Sequence, residues 1–269
     1  MIVSLTTDFG TRDGYVGELK GVLLDRAPDA LPVDVTHDVP PGDVLTGSWV
    51  LARIWARFPP GTVHLVVVDP GVGSDRRPVA ISVGNRWFVG PDNGLLTRVM
   101  EGAVPLAQPV SSDRSARVLE AARIGLQPQS DTFHGRDLFA PAAAHLAAGG
   151  APEDLGPPLD VGELVRHPLD RPRRTADGAR GVIGYVDRFG NLITDVPSAW
   201  LPAHYRVRVG NSEVRHPGTS FADVAPGEAV LIRGSAGTLE VCVREGRADV
   251  VLGVGRGDPV QVVEADADV

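Results

Sequence analysis

Val63-His64-Leu65-Val66-Val67-Val68-Asp69-Pro70-Gly71-Val72-Gly73-Ser74-Asp75-Arg76-Arg77 is the stretch on which the reading of this chain turns. Val63 to Val68 is an almost unbroken apolar run, mostly β-branched, as in a strand covered on both faces of a parallel sheet. Pro70 cannot continue the ladder, and the glycines after it allow a tight turn. Asp69 therefore falls at the carboxyl end of a buried strand, the edge at which open α/β sheets bind ligands. Arg76 follows one short loop later, within reach of Asp69. A lone Asp-Pro-Gly turn is commonplace, so the rest of the chain has to support a functional reading.

The flanking sequence repeats the pattern. Ile2 to Thr7 reads as a strand ending in Thr7-Asp8-Phe9-Gly10, and Val16 to Asp25 has the spacing of an amphipathic helix. Asp13 lies in the loop between them. Pro32 to His37 is a further strand, and Asp43 is placed to cap a helix through Ile54. Val79–Val83 and Trp87–Val89 read as a hairpin, Leu95–Met100 as a short helix, and Leu138–Ala148 as an Ala-rich helix. Gln108–Gln129 has little pattern. From Ala151 to Gly181 Pro and charged residues cluster and the periodicity disappears. The expected division is an α/β domain over 1–165, a linker over 166–180 and a C-terminal domain over 181–269. That last segment carries closely spaced short strands, the mark of an all-β, barrel-like domain. The N-terminal domain is expected to be doubly layered and Rossmann-like, although Gly-x-Gly-x-x-Gly and Walker sequences are absent.

Composition narrows the classes of function. The chain has 269 residues, 43% hydrophobic and 22% charged, and a formal net charge of -8. That balance opposes nucleic-acid binding, which favours a basic surface. One cysteine, Cys242, excludes an internal disulfide framework and a cysteine zinc site. No apolar run reaches membrane-span length, and the N-terminus lacks a signal-type pattern, so a cytoplasmic protein is expected. His37, His64, His145, His167, His204 and His216 have no partner pattern and read as ordinary core or surface residues. Asp92 reads equally as a turn former or a ligand contact.

Five segments in order resemble one family. They are Thr7–Gly10, Val68–Gly73, Gly90–Thr97, Thr132–Asp137 and Asp187–Asn191. The family is the S-adenosylmethionine (SAM) hydroxide adenosyltransferases, or SAM hydrolases, relatives of the fluorinases and chlorinases. The resemblance implies an α/β domain followed by a barrel-like domain. It also implies a homotrimer with sites at subunit interfaces, SAM as substrate, adenosine as product, and neither cofactor nor metal. The family's catalytic set falls on Asp69, Arg76 and His134. Halogenating relatives carry Tyr at the first and last of these positions, and Gly135 stands where the fluorinase has Ser. These departures favour water over halide as nucleophile.

The chemistry suits the residues. A sulfonium leaves as a neutral thioether, so attack at the ribose 5′ carbon needs an oriented, partly deprotonated water and no general acid. Asp69 and His134 can hold that water, and Arg76 can fix the carboxylate. Asp8 is placed to accept a ribose diol, with Asp13 a second substrate-side candidate. Asn191 has the donor and acceptor that an adenine edge requires, and Phe189 and Phe221 can line the purine. Asp187 can meet the methionine ammonium. The resemblance adds Ser235, Glu240 and Val243 as adenosine contacts. It supplies no partner for the methionine carboxylate, because Ala236 replaces the halogenases' Arg. Three other functions remain open at this level: a SAM-dependent halogenase, a metal-dependent hydrolase using Asp8, Asp38, Asp69, His134 and Asp137, and a non-catalytic adenosine or SAM sensor.

Overall fold

The computed structural model describes residues 1–102, 113–125, 130–169 and 171–265. They fall into two compact units, meeting in sequence between His167 and Pro168. In the first unit β1 (Ile2–Thr7), α1 (Tyr15–Arg26), β2 (Leu31–Thr36), α2 (Val44–Ile54) and β3 (Val63–Val67) follow one another. A hairpin of β4 (Pro78–Val83) and β5 (Trp87–Pro91) comes next, then α3 (Thr97–Glu101) and β6 (Arg114–Val118). A π-helical turn over Gly135–Phe139 runs into α4 (Ala140–Ala147), and β7 (Pro158–Leu159) completes the sheet.

The strand order is β2-β1-β3-β5-β4-β6-β7. The first four strands are parallel and the last three join antiparallel, so the sheet is mixed. All five residues of β3 are buried, as its β-branched run requires. One face, carrying Val3, Leu5, Val63, Leu65 and Val67, packs under Leu19 and Leu23 of α1 and the alanines of α4. Side chains alternate along a strand, so His64, Val66 and Val68 face the other way. There Val68 lies against α2 at Gly47, and His64 stacks on Phe88. Asp43 caps α2 by accepting from the Thr46 amide at 3.1 Å.

The chain leaves β1 toward β2 on one side and returns to β3 on the other. The order of winding reverses between β1 and β3, which is the crevice where such sheets bind ligands. Thr7 is in register with Val67, so Asp8 and Asp69 emerge side by side from that crevice.

The second unit is a curled, mainly antiparallel sheet. Its strands are β8 (Arg173–Thr175), β9 (Gly178–Val186), β10 (Leu192–Pro197), β11 (Tyr205–Val209), β12 (Ser212–Val214), β13 (Pro217–Gly218), β14 (Ala229–Arg233), β15 (Thr238–Val243) and β16 (Pro259–Glu264), with α5 (Ala248–Leu252) before the last. They run in the order β12-β11-β16-β9-β10-β15-β14-β13, with β8 on β9. One interior receives Ile183, Leu192, Val207, Leu231, Val241 and Val262 from six strands. Contact between β12 and β14 brings the two ends of the sheet together, as in a barrel.

The structure differs from the sequence reading in particular places. Part of 166–180, expected as an aperiodic linker, is the β8–β9 hairpin. Arginines there conceal a strand pattern, because their charged ends are exposed while the backbone pairs. Arg114–Val118 is a strand although only Ala116 in it is buried. Much of the remaining 108–129 segment lies outside the described residues. The Ala-rich helix begins earlier than expected, through the π-helical turn that carries Arg136 and Asp137.

Gly90 gives a test of how tightly β5 is drawn to β3. A Cβ at this position would collide with the Val66 carbonyl oxygen. Gly90→Ala should therefore cost about 1–3 kcal/mol by overpacking. Urea unfolding checks this, and an unchanged midpoint would contradict the close approach.

Candidate active site

Asp69 leaves the crevice two residues after β3 and meets an arginine from the loop that follows. Arg76 Nε donates to the two carboxylate oxygens at 3.1 and 3.0 Å, and Nη2 donates to Oδ2 at 2.6 Å. The two side chains are 6% and 8% exposed, so this charge-assisted pair is held largely away from water. The same Nη2 reaches His134 Nδ1 at 2.6 Å. One guanidinium thus bridges a strand end to the turn before α4. Its carbon also lies 5.2 Å from the centre of the Phe139 ring.

The bridge fixes the histidine's chemistry. A guanidinium only donates, so Nδ1 must accept, and the neutral imidazole carries its proton on Nε2. Burial holds the His134 pKa below the ordinary imidazole range, and the Arg76 charge acts in the same direction. Asp69, Asp131 and Asp137 oppose this effect without reversing it.

Asp8 stands beside this group. Burial raises its pKa, and the Asp69 charge adds to the rise. The Gly42 amide, donating to Oδ2 at 2.8 Å, acts against it. Phe9, Tyr15 and Phe133 form an edge-to-face cluster, with Tyr15 and Phe133 centred 5.3 Å apart. A Cβ at Gly135 would stand 3.0 Å from Phe9 Cζ, so the residue beside His134 has little room to grow. Asp13 is exposed, and among the described residues its side chain makes no hydrogen bond or ion pair.

Several supporting residues were not legible in the sequence. Asn93 donates to the Val68 carbonyl at 2.9 Å and accepts from the Leu95 amide at 3.2 Å. It thereby pins the residue before Asp69. Asp92 is a strut: Oδ1 accepts from the Val165 amide, and Oδ2 from Arg77. Asp137 pairs with Arg136, which also reaches Glu18. Asp69, His134 and Asp137 thus all face guanidinium groups, an arrangement suited to anchoring and poorly suited to ligating a divalent ion. Among the described residues no three His, Cys, Asp or Glu side chains form a group able to hold a metal. No helix there is long and apolar enough to cross a membrane.

In the second unit Asp187 organises the turn between β9 and β10. Its Oδ1 accepts from the Phe189 and Asn191 amides at 2.8 and 2.9 Å, and Oδ2 from Asn191 Nδ2 at 2.9 Å. Asn191 is buried and Phe189 is 73% exposed. Glu240 lies opposite Ile193 on β15, and Val243 is buried at that strand's end. Burial pushes the Cys242 thiol up to about 12, helped by the Glu240 and Asp187 charges, so both carboxylates lie near it. Phe221 is exposed on a turn capped by Ser220, and Ser235 is exposed between β14 and β15. Asp187, Phe189 and Asn191 thus share one turn, while Phe221 and Ser235 come from separate loops.

Comparison with known proteins gives the same family over both units. The model of the SAM hydroxide adenosyltransferase N-terminal domain matches residues 3–156, and that of the C-terminal domain matches 181–261. The chain is 43% identical to the (R)-S-adenosyl-L-methionine hydrolase of Thermus thermophilus, over 97% of this chain and 99% of the relative. It is 32% identical to a fluorinase from an Actinoplanes species, over 72% and 71% of the two chains. A crystal structure of an uncharacterized conserved protein from Thermotoga maritima superposes with a TM-score of 0.86 at 37% identity, covering 97% of this chain and all of that one.

The depressed His134 pKa has a measurable consequence. The unfolded chain binds this proton more readily than the fold does. The stability held above the unfolded value of about 6.5 is therefore lost as pH falls through the lower folded value. Proton NMR titration of His134 should give a midpoint below about 6.5; a midpoint above it would contradict the bridge.

Proposed function

Because the chain belongs to the SAM hydroxide adenosyltransferase family, we propose that it hydrolyses (R)-S-adenosyl-L-methionine to adenosine and methionine. The observation that carries this reading is the single guanidinium bridging Asp69 and His134. Arg76 orients both groups at once. It leaves Asp69 as an anionic acceptor and His134 with an Nε2–H donor. A water donating one proton to Asp69 and accepting from His134 keeps a lone pair for the ribose 5′ carbon. As the carbon–oxygen bond forms, the carbon–sulfur bond breaks, methionine leaves with the electron pair, and the water's proton passes to Asp69. The sulfonium charge disappears in the step, so the leaving group needs no proton.

In this reading Asp8, and Asp13 from the same loop, serve the ribose side. Asn191, Phe189 and Phe221 receive the adenine, Asp187 the ammonium, and Ser235, Glu240 and Val243 complete the adenosine contacts. The catalytic candidates belong to the first unit and the adenine candidates to the second. We assign the assembly as a homotrimer in which one subunit's first unit faces its neighbour's second. The hydrolase relative is more similar than the fluorinase, and Gly135 is hemmed in by rings. Both observations favour water over halide.

Incubating chelator-treated protein with the R epimer of SAM and separating the products tests the reaction. Adenosine and methionine in equal amounts are expected; intact SAM, or a halogenated adenosine as the only product, would overturn it. Asp69→Asn should lower kcat roughly 100-fold or more while adenosine still binds by calorimetry. A variant turning over at the parental rate would remove Asp69 from the chemistry. Light scattering should give the mass of three chains, and a fully active monomer would exclude the shared-site arrangement.

A further inference from the structure

The end of β1 is tied to β2 by a chain of polar groups that runs from two buried side chains out to the surface. Thr7 is completely buried and His37 is 4% exposed. Thr7 Oγ1 lies 2.8 Å from His37 Nδ1 and accepts from the Phe9 amide at 3.3 Å. His37 Nε2 lies 3.1 Å from Asp34 Oδ1, and Asp34 Oδ2 is met by Lys20 Nζ at 2.6 Å. The backbone doubles the connection: the Gly10 amide donates to the His37 carbonyl at 2.8 Å, and the Val39 amide to the Thr7 carbonyl at 3.4 Å.

The directions of these bonds are mutually consistent. The Asp34 carboxylate accepts, so the imidazole presents an Nε2–H to it, and with the proton there Nδ1 accepts. The Thr7 hydroxyl then donates to Nδ1, leaving its lone pairs for the Phe9 amide. Each link fixes the next, from half-exposed Lys20 at the surface to the Thr7–Gly10 turn in the crevice. The arrangement has the residue types of a nucleophile-base-acid relay. Complete burial of the hydroxyl, and its use as acceptor for Phe9, exclude that role. Asp8 lies between the two residues being held. Its own outer contact, the Gly42 amide, belongs to the same segment of chain that runs on from His37.

We propose that Thr7, His37 and Asp34 are positioning residues for substrate binding, holding the Thr7–Gly10 turn so that the Asp8 carboxylate is pre-aimed. The proposal rests on the ribose-side reading of Asp8. Preorganisation of this kind lowers the ordering cost of binding and acts on the ground and transition states alike. Its signature is therefore a change in KM with little change in kcat.

Steady-state kinetics with SAM and calorimetry with adenosine, on full-length Thr7→Val, Thr7→Ser and Asp34→Ala, test it. Thr7→Val keeps the side chain's shape but leaves the Phe9 amide and His37 Nδ1 unpartnered. It should raise KM and the adenosine Kd about tenfold, with kcat within about twofold of the parent. Thr7→Ser restores the hydroxyl and should hold both near parental values, a rescue that loss of packing alone would not give. Asp34→Ala, at the half-exposed outer end, should raise KM about threefold and decides the matter if Thr7→Val does not fold. Parental KM and Kd in the folded variants, or a fall in kcat alone, would overturn the proposal. Asp8→Ala runs in parallel: a parental KM there removes Asp8 from the ribose, while the chain is judged on its own variants.

Discussion

The parallel pairing of β1 with β3 is the constraint on which the rest depends. It places Thr7 beside Val67 at the point where the winding of the sheet reverses. Two carboxylates then leave adjacent strand ends into one crevice. Unpaired, they would repel, and burial already raises the Asp8 pKa with help from the Asp69 charge. Arg76 eases the conflict by pairing with the Asp69 carboxylate. Asp8 is left with a backbone amide from Gly42 as partner, which keeps it available to an uncharged polar ligand such as a diol.

The same guanidinium makes the site a single object. Two separate anchors for Asp69 and His134 would leave their relative position to two independent side chains. A planar fork touching both removes that freedom. The stacking against Phe139 and the Asn93 hold on Val68 restrict the arrangement further. Such restriction is what in-line attack at carbon requires, and under the proposed hydrolysis catalysis consists of placing a water rather than protonating a leaving group.

The second unit follows a different logic. Its ligand-type residues are divided between turns and strand β15 of a curled sheet, and the Asp187 carboxylate spends its hydrogen bonds on its own turn. Asn191 is consequently fixed and buried while Phe189 stands exposed. Under the proposed function these two residues of one turn serve the purine, Asn191 by hydrogen bonding and Phe189 by its ring.

Sequence alone determined the local elements and the residues at their ends. Val63 to Val68 reads as a strand buried on both faces, because side chains at successive positions of a strand point to opposite sides and all of these are apolar or His. That placed Asp69 at its carboxyl end with Arg76 one short loop later, and the family segments carried Asp8 and His134. β8, the start of β9, and β6 escaped notice, because arginines among their residues interrupt the apolar alternation that marks a strand. Tertiary structure alone decided how the polar groups divide their hydrogen bonds. Asp92 proved a strut, Asn93 a clamp on Val68, and His37 a buried link between Thr7 and Asp34. Those roles depend on contacts between residues 25 to 73 positions apart, or on which nitrogen faces which oxygen. Residue spacing carries neither kind of information, because hydrogen bonds are fixed by atomic direction after the sheet has closed.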